Sequence, residues 1–192
     1  IVGIAVAVEG WSGYYPRAHE GGGNLDKKKV LDWCRTILNY DSVKIFHNAM
    51  YDVCFIRAAG LKINGLIVDT MIAGSLVDEN RFRYDLGSMG RDYLGKGKNE
   101  ALLAETANVW GIDAKSEMYK LPAMYVGEYA ERDAELTLDL WQEMRKEINH
   151  QDIESIFKLE TELFPCLVDM RFLGVRVDVE GAPKLKENLV AQ

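Results

Sequence analysis

Ser42-Val43-Lys44-Ile45-Phe46-His47-Asn48-Ala49-Met50-Tyr51-Asp52 is the stretch on which the fold turns. Its first five residues form a short apolar run that reads as a buried strand, ending at His47-Asn48-Ala49. A helix follows through Tyr51, Val53, Cys54, Phe55, Ile56 and Ala59, and Gly60 stops it. Leu66-Ile67-Val68 repeats the pattern: a short strand, then Asp69-Thr70 as the cap of a helix from Met71 to Val77. Upstream, Ile1 to Val8 alternates small and branched apolar residues and reads as a strand. Glu9 to Gly13 is a turn, and Tyr14-Tyr15-Pro16 begins the second arm of a hairpin. Gly21-Gly22-Gly23-Asn24 reads as a flexible loop, followed by a helix carrying Val30, Leu31, Trp33, Cys34, Ile37 and Leu38, with Asn24 or Asp26 available as N-cap.

Downstream the pattern becomes helical. Helices are expected from Tyr84 to Leu94, ended by Gly95, and from Asn99 to Trp110 after the basic loop Gly95-Lys96-Gly97-Lys98. Lys115 to Leu121 is irregular. A long amphipathic helix runs from about Ala123 to Ile148, and a second, with Pro165 inside to kink it, from Asp152 to Phe172. Gly174 to Asp178 is a strand-like exit, and a last helix begins near Glu180. The chain thus divides into an α/β first part and a helical second part, with a seam near residues 148–153.

Composition sets limits on function. No apolar stretch reaches the roughly 18 residues that span a bilayer. Cys34, Cys54 and Cys166 are scattered without CxxC spacing, which argues against a disulfide framework or a zinc site and fits a reducing, cytoplasmic setting. The net charge of −7 argues against a protein that grips nucleic acid mainly by neutralising phosphates. It leaves room for an enzyme whose bound metal ions supply positive charge at one small site. The chain opens in the middle of an apolar run without a Met, so a truncated start is expected.

Two short patterns carry chemistry. Asn48-x-x-x-Asp52 lies where the strand becomes a helix, and Tyr129-x-x-x-Asp133 lies inside the long helix, where positions four apart share a face. If Asp52 and Asp133 converge, their oxygens suit hard divalent ions such as Mg²⁺ or Mn²⁺, and a tyrosine beside them can orient a water. That combination fits two-metal phosphodiester hydrolysis. One Tyr-x-x-x-Asp in a chain with nine tyrosines is close to chance, and a solvated helix face accounts for it equally well. Asn48 and Asp52 alone fit a helix cap and a first-turn acid.

Order and context separate these readings. The hairpin segment 1–19, His47-Asn48-Ala49-Met50-Tyr51-Asp52, Val68-Asp69-Thr70-Met71 and Tyr129-Ala130-Glu131-Arg132-Asp133-Ala134 occur in the order of the 3′→5′ exonuclease domain of family A DNA polymerases, a branch of the DEDD exonucleases, and the chain resembles that family. Phe172-Leu173-Gly174-Val175-Arg176-Val177-Asp178 resembles the start of the polymerase part that follows. The resemblance implies a ribonuclease H-like α/β fold, a mixed sheet flanked by helices, over residues 1–150. It implies the beginning of a polymerase domain over 151–192.

It also implies roles. Asp133 and Asp52 would hold two metal ions, Mg²⁺ or Mn²⁺, and with Tyr129, which would hold the attacking water, form the catalytic set. Asn48, His47 and Arg83 would touch the single-stranded 3′ end of DNA. The family's Asp-x-Glu motif, on the central strand of its sheet, has no counterpart before Asp26. Its loss would remove two metal carboxylates and leave the hairpin and the strands near Phe46 and Val68 without the neighbour between them. The fragment is then expected to be inactive alone. Alternatives are a vestigial, non-catalytic module of a polymerase, or a stand-alone exonuclease similar to ribonuclease D. Asp69 reads as a helix cap, His19 and His150 as surface, and Lys96 and Lys98 as a solvated basic loop.

Overall fold

In the computed structural model, which describes residues 1–190, the strand-to-helix junctions form where the apolar runs end. Strand β1 (Gly3–Val8) pairs antiparallel with β2 (Trp11–Pro16), Val8 opposite Trp11, so the turn is the two residues Glu9-Gly10. Gly10 supplies the positive φ of 78° that such a tight hairpin requires. Helix α1 (Lys27–Leu38) is capped by Asp26, whose carboxylate accepts the Lys29 N–H. Then come β3 (Lys44–Phe46), α2 (Ala49–Ala58), β4 (Ile67–Asp69) and α3 (Thr70–Val77), with β3 and β4 parallel. Helices α4 (Leu86–Leu94) and α5 (Ala101–Trp110) lead through two short 3₁₀ turns to α6 (Gly127–His150), α7 (Glu154–Leu173) and α8 (Gly181–Val190).

The chain is therefore a mixed α/β protein with two small sheets and eight helices among the described residues. The expected single mixed sheet is split in two: β1 pairs with β2, β3 with β4, and the two pairs are not hydrogen-bonded to each other. This is the division expected when no strand lies between them. Gly174 to Asp178, expected as strand-like, pairs with nothing and is irregular.

Helix α6 holds the parts together. Leu136, Leu140, Met144 and Ile148 are buried against Ala73, Leu86 and Met89 of α3 and α4, forming the largest apolar cluster. Gly90 lets α4 come this close, because a Cβ there would stand 2.8 Å from Leu136. On another face, Glu131 accepts the Tyr14 N–H (2.9 Å) and Glu135 the Ser12 hydroxyl (2.7 Å), fixing the hairpin to the helix. The α6–α7 turn contains Asp152 at a φ of 57°, and α7 folds back so that Phe164 and Val168 pack on Ala49 and Val53 of α2. Apart from that contact, α7 and α8 leave Leu159, Leu163, Met170, Leu173, Leu185 and Leu189 exposed, as is Val175 between them.

Two sequence expectations are corrected upstream of α6. The Gly21–Asn24 loop is docked, not free: the Ala123 N–H donates to Gly22 O, and a Cβ on Gly21 would meet Pro122 N at 2.4 Å. That docking also delays α6 to Gly127, since Pro122 and the 3₁₀ turn Ala123–Tyr125 are held by the loop. His19 is buried at 3% exposure, not on the surface. Its Nδ1 lies 2.9 Å from Leu121 O, which can only accept, so Nδ1 carries the proton and Nε2 accepts from the Tyr14 hydroxyl at 2.6 Å.

Burial holds the His19 imidazole below its usual pKa, although its bond to Leu121 O opposes this. A folded state that resists protonation keeps that stability above the unfolded value of about 6.5 and loses it as pH falls through and below it. Thermal melts from pH 7.5 to 5 should thus show a fall that His19→Gln flattens. An equally steep fall in the variant would assign the loss to other groups.

Candidate active site

The residues singled out in the sequence fall into two clusters of polar side chains. The first surrounds the start of α2. Asp69, at 7% exposure, accepts three backbone N–H groups: from Asn48 (3.0 Å), Ala49 (2.8 Å) and Met71 (2.8 Å). One carboxylate thus caps α3 and clamps the first residues of α2, as its reading as a cap requires. Asn48 sits at φ 60° and ψ 52°, a left-handed conformation that asparagine tolerates, and its side chain makes no capping bond. The amide is exposed and free to meet a ligand.

Asp52 lies in the first turn of α2. Its surface is open to solvent, yet the protein around it displaces enough water, with the Asp69 charge adding to the effect, to push its carboxyl up to about 6. A carboxyl held that high gains from a cation more than an ordinary surface aspartate does.

His47 ends β3. The Thr70 hydroxyl donates to Phe46 O at 3.2 Å, so His47 Nδ1 donates to Thr70 Oγ1 at 2.9 Å. In that tautomer Nε2 is a bare acceptor, buried without a partner. Burial lowers the imidazole's pKa, and the charge of Lys98 pushes the same way against Asp69. Arg83 is exposed, its carbonyl accepting from Arg81, and its charge reaches Asp85, the N-cap of α4.

The second cluster lies on α6. Tyr129 and Asp133 are one turn apart and share a neighbour, Lys98, that the sequence reading left in a solvated loop. Lys98 Nζ stands 2.7 Å from Asp133 Oδ2 and 3.5 Å from the Tyr129 hydroxyl, and 5.3 Å from the centre of the Tyr129 ring. The solvated-loop reading of Lys98 is thus corrected: its side chain is 21% exposed and that of Asp133 22%. The other oxygen of Asp133, Oδ1, is buried and has no partner. Burial first, and the Asp133 charge second, raise the Tyr129 phenol far above its usual pKa, so it stays protonated and able to donate. No local pattern marks Lys98, because its partner is 35 residues away in sequence. Its charge is felt at His47 as well as at Asp133, which ties the two clusters together electrostatically.

The donor set suits a hard divalent ion in kind: carboxylate oxygens, one of them buried and unpartnered. It is incomplete in number. Among the described residues no three His, Cys, Asp or Glu side chains are grouped to hold an ion.

Comparison with known proteins identifies the family. The 3′-5′ exonuclease family of family A DNA polymerases matches residues 23–149, and the chain belongs to that family of enzymes. It is 36% identical over 189 residues to a DNA-directed DNA polymerase of Pseudomonas phage M6, covering 94% of this chain and 28% of that protein. It is 32% identical to the DNA polymerase DpoZ of Acinetobacter phage SH-Ab 15497, covering 84% of this chain and 27% of that one. DNA polymerase I of Chloroflexus aurantiacus is 25% identical, covering 94% and 19%. The chain spans less than a third of the length of these relatives. In fold it is similar to the POL domain of Pol1 from M. smegmatis, solved in complex with DNA primer-template and dNTP. That likeness has a TM-score of 0.70 at 18% identity and covers 100% of this chain and 29% of the other. No helix among the described residues is long and apolar enough to cross a membrane.

Proposed function

We propose that this chain is the proofreading 3′→5′ exonuclease part of a DNA-directed DNA polymerase, working on the single-stranded 3′ end of DNA in the cytoplasm of a bacterial or phage-infected cell. Residues 1–150 form the exonuclease unit, with a ribonuclease H-like fold, and 151–192 begin the polymerase part. The observation that carries the reading is the Tyr129–Asp133 pair. A protonated phenol stands beside a carboxylate that keeps a buried, unpartnered oxygen. The exposed apolar residues of α7 and α8 support the second half of the assignment, because such a face suits burial against a following domain.

Asp133 and Asp52 would each hold a divalent ion, Mg²⁺ or Mn²⁺, and such ions supply an activated water and charge stabilisation at the leaving 3′-oxygen. The chain's own groups do the rest. The Tyr129 hydroxyl donates to the water and sets its line of attack on phosphorus. Asn48, whose amide is exposed at the start of α2, meets the terminal nucleotide, and His47, half-buried beside it and bonded to Thr70, shapes the floor of that contact. Arg83 adds positive charge for the departing strand at the exposed approach to α4. With a net charge of −7, affinity must come from this local site rather than from the whole surface.

Two carboxylates without a third ligand do not complete a metal centre, so we propose that the 192 residues alone are inactive. The chain should leave a labelled single-stranded 3′ end intact in Mg²⁺ or Mn²⁺. Adding a strand of about 15 residues bearing Asp-x-Glu ahead of Ile1 should restore stepwise removal of 3′ nucleotides. Robust Asp133-dependent digestion by the 192-residue chain would overturn the incompleteness. Failure of the extended chain to digest DNA would favour a vestigial, structural module. Preference for RNA ends would favour a stand-alone enzyme similar to ribonuclease D.

A further inference from the structure

Phe82, the neighbour of Arg83, is 103% exposed, the most open large apolar side chain among the described residues. A single exposed apolar residue is ordinary on a protein surface. Here, however, the segment 78–85 between α3 and α4 is pinned on both sides of the ring. Ahead of it, the Asn80 N–H donates to Asp78 Oδ1 at 3.1 Å. Arg81 pairs with Asp92 of α4 and lies over the Tyr93 ring, 5.1 Å from its centre. After it, the Tyr84 hydroxyl donates to Asp78 O at 2.8 Å, and Asp85 caps α4 by accepting the Ser88 N–H at 3.0 Å. Fixed neighbours thus hold the phenyl ring out in water.

The surroundings of the ring carry positive charge and lead to the candidate site. Arg83 and Arg91 are exposed, and the charges of both reach Asp85, whose own charge is felt at His47. A Cβ on Gly87 would stand 3.5 Å from Arg91 Nη1 and 3.6 Å from Lys98 Cδ, so these two side chains cross the first turn of α4. Lys98 continues from there to Asp133 and the Tyr129 hydroxyl. Of the acids on this side, Asp92 is paired with Arg81, Asp85 is engaged as a cap, and Asp78 and Glu79 precede the ring. Cations therefore line the way from Phe82 to Asp133 in a chain whose net charge is −7.

We propose that Phe82 is a stacking platform for an unpaired base of single-stranded DNA upstream of the 3′-terminal nucleotide, with Arg83 and Arg91 taking the phosphates beside it. This rests on the reading of the chain as one that holds a single-stranded end. An unpaired base has two apolar faces, and an exposed ring is the surface that covers one of them. A ring already held in place loses little freedom when the base arrives. Arginines on either side of it supply what the sugar-phosphate backbone needs. Stacking tolerates any base, which suits a strand whose sequence is not fixed.

The test is the fluorescence anisotropy of a short labelled oligothymidylate titrated with the 192-residue chain at low salt, without divalent ions. Phe82→Ala should weaken binding about ten-fold. Phe82→Trp should bind at least as tightly as the parent, whereas Phe82→Leu, apolar but without an aromatic face, should fall with alanine. A strand of equal length whose bases are replaced by abasic sites should bind the parent and Phe82→Ala alike. Arg83→Gln should flatten the plot of log affinity against log salt by roughly 0.7, and Phe82→Ala should leave that slope unchanged. Thermal melts of the Phe82 variants should match the parent, because the ring packs on nothing. No binding by the parent, equal binding by Phe82→Ala, or a loss that persists on the abasic strand would overturn the proposal. The titration reads no hydrolysis. A Phe82-dependent strand with no digestion by the extended chain would keep the platform and remove the exonuclease, and digestion with Phe82 indifferent would do the reverse.

Discussion

Replacing Asp69 by alanine should lower the folding stability of the chain by about 3 kcal/mol, the largest loss expected from any single polar substitution in it. The carboxylate is 7% exposed and accepts three backbone N–H groups from two helices. A hydrogen bond to a charged acceptor is worth about 1.5–3 kcal/mol, and the contributions of three sharing one acceptor do not add fully. The variant also leaves the N–H of Ala49, itself completely buried, without an acceptor. Asp69→Asn should cost less, because one oxygen still accepts while the amide nitrogen faces donors. Urea unfolding of the two variants beside the parent measures both. A loss below about 1 kcal/mol for the alanine variant would show that α2 and α3 keep their starts by packing alone. The same variant should bring Asp52 down toward the usual carboxylate range, since the Asp69 charge is one of the two causes raising it.

The second large effect concerns hydrolysis. In a polymerase-length protein carrying this chain, Asp133→Asn should reduce 3′→5′ removal of nucleotides by at least about 10³-fold and leave primer extension unchanged. The substitution keeps the shape of the side chain and removes the charge on which a bound cation depends. It should cost little stability, roughly 1 kcal/mol or less, because the Lys98 partner it releases is partly exposed and can turn to solvent. The assay pairs digestion of a labelled single strand with extension of a matched primer. Equal loss of both activities would point to misfolding. Undiminished digestion would remove Asp133 from the catalytic set.

The order of elements was legible where a boundary carries a local signal, although Asp85, which caps α4, was read as lying inside that helix. Asp26, Asp69 and Asp85 cap the helices they precede, and Gly95 ends α4. The strand-to-helix junctions at His47-Asn48 and Asp69-Thr70 follow from apolar runs meeting polar caps. What was not legible is held together by contacts distant in sequence. The burial of His19 depends on Leu121, 102 residues away, and the docking of the glycine loop on Pro122 and Ala123. No spacing rule announces either. The same holds at the candidate site. Tyr129 and Asp133 share a helix face, so their spacing shows their relation directly, whereas Lys98 joins them only through the fold. Asp69 was readable as a cap of its own helix, but its hold on the start of α2 needs the parallel pairing of β3 with β4, which sets Phe46 opposite Asp69.

Helix α6 is wall to the apolar core, anchor to the hairpin and carrier of Tyr129 and Asp133. Its burial is uneven as a result: from Tyr129 to Trp141 no residue is exposed, and the exposed positions are Glu128 and then Gln142, Arg145, Lys146, Asn149 and His150. For the history of the sequence this means that mutation has little free ground in the first half of the helix. A change there meets the core, the hairpin or the candidate site, whichever way the side chain points. Side chains with open space around them are confined to the first turn and the last turns, so the half of α6 that bears the candidate site is also the half with the least room for substitution.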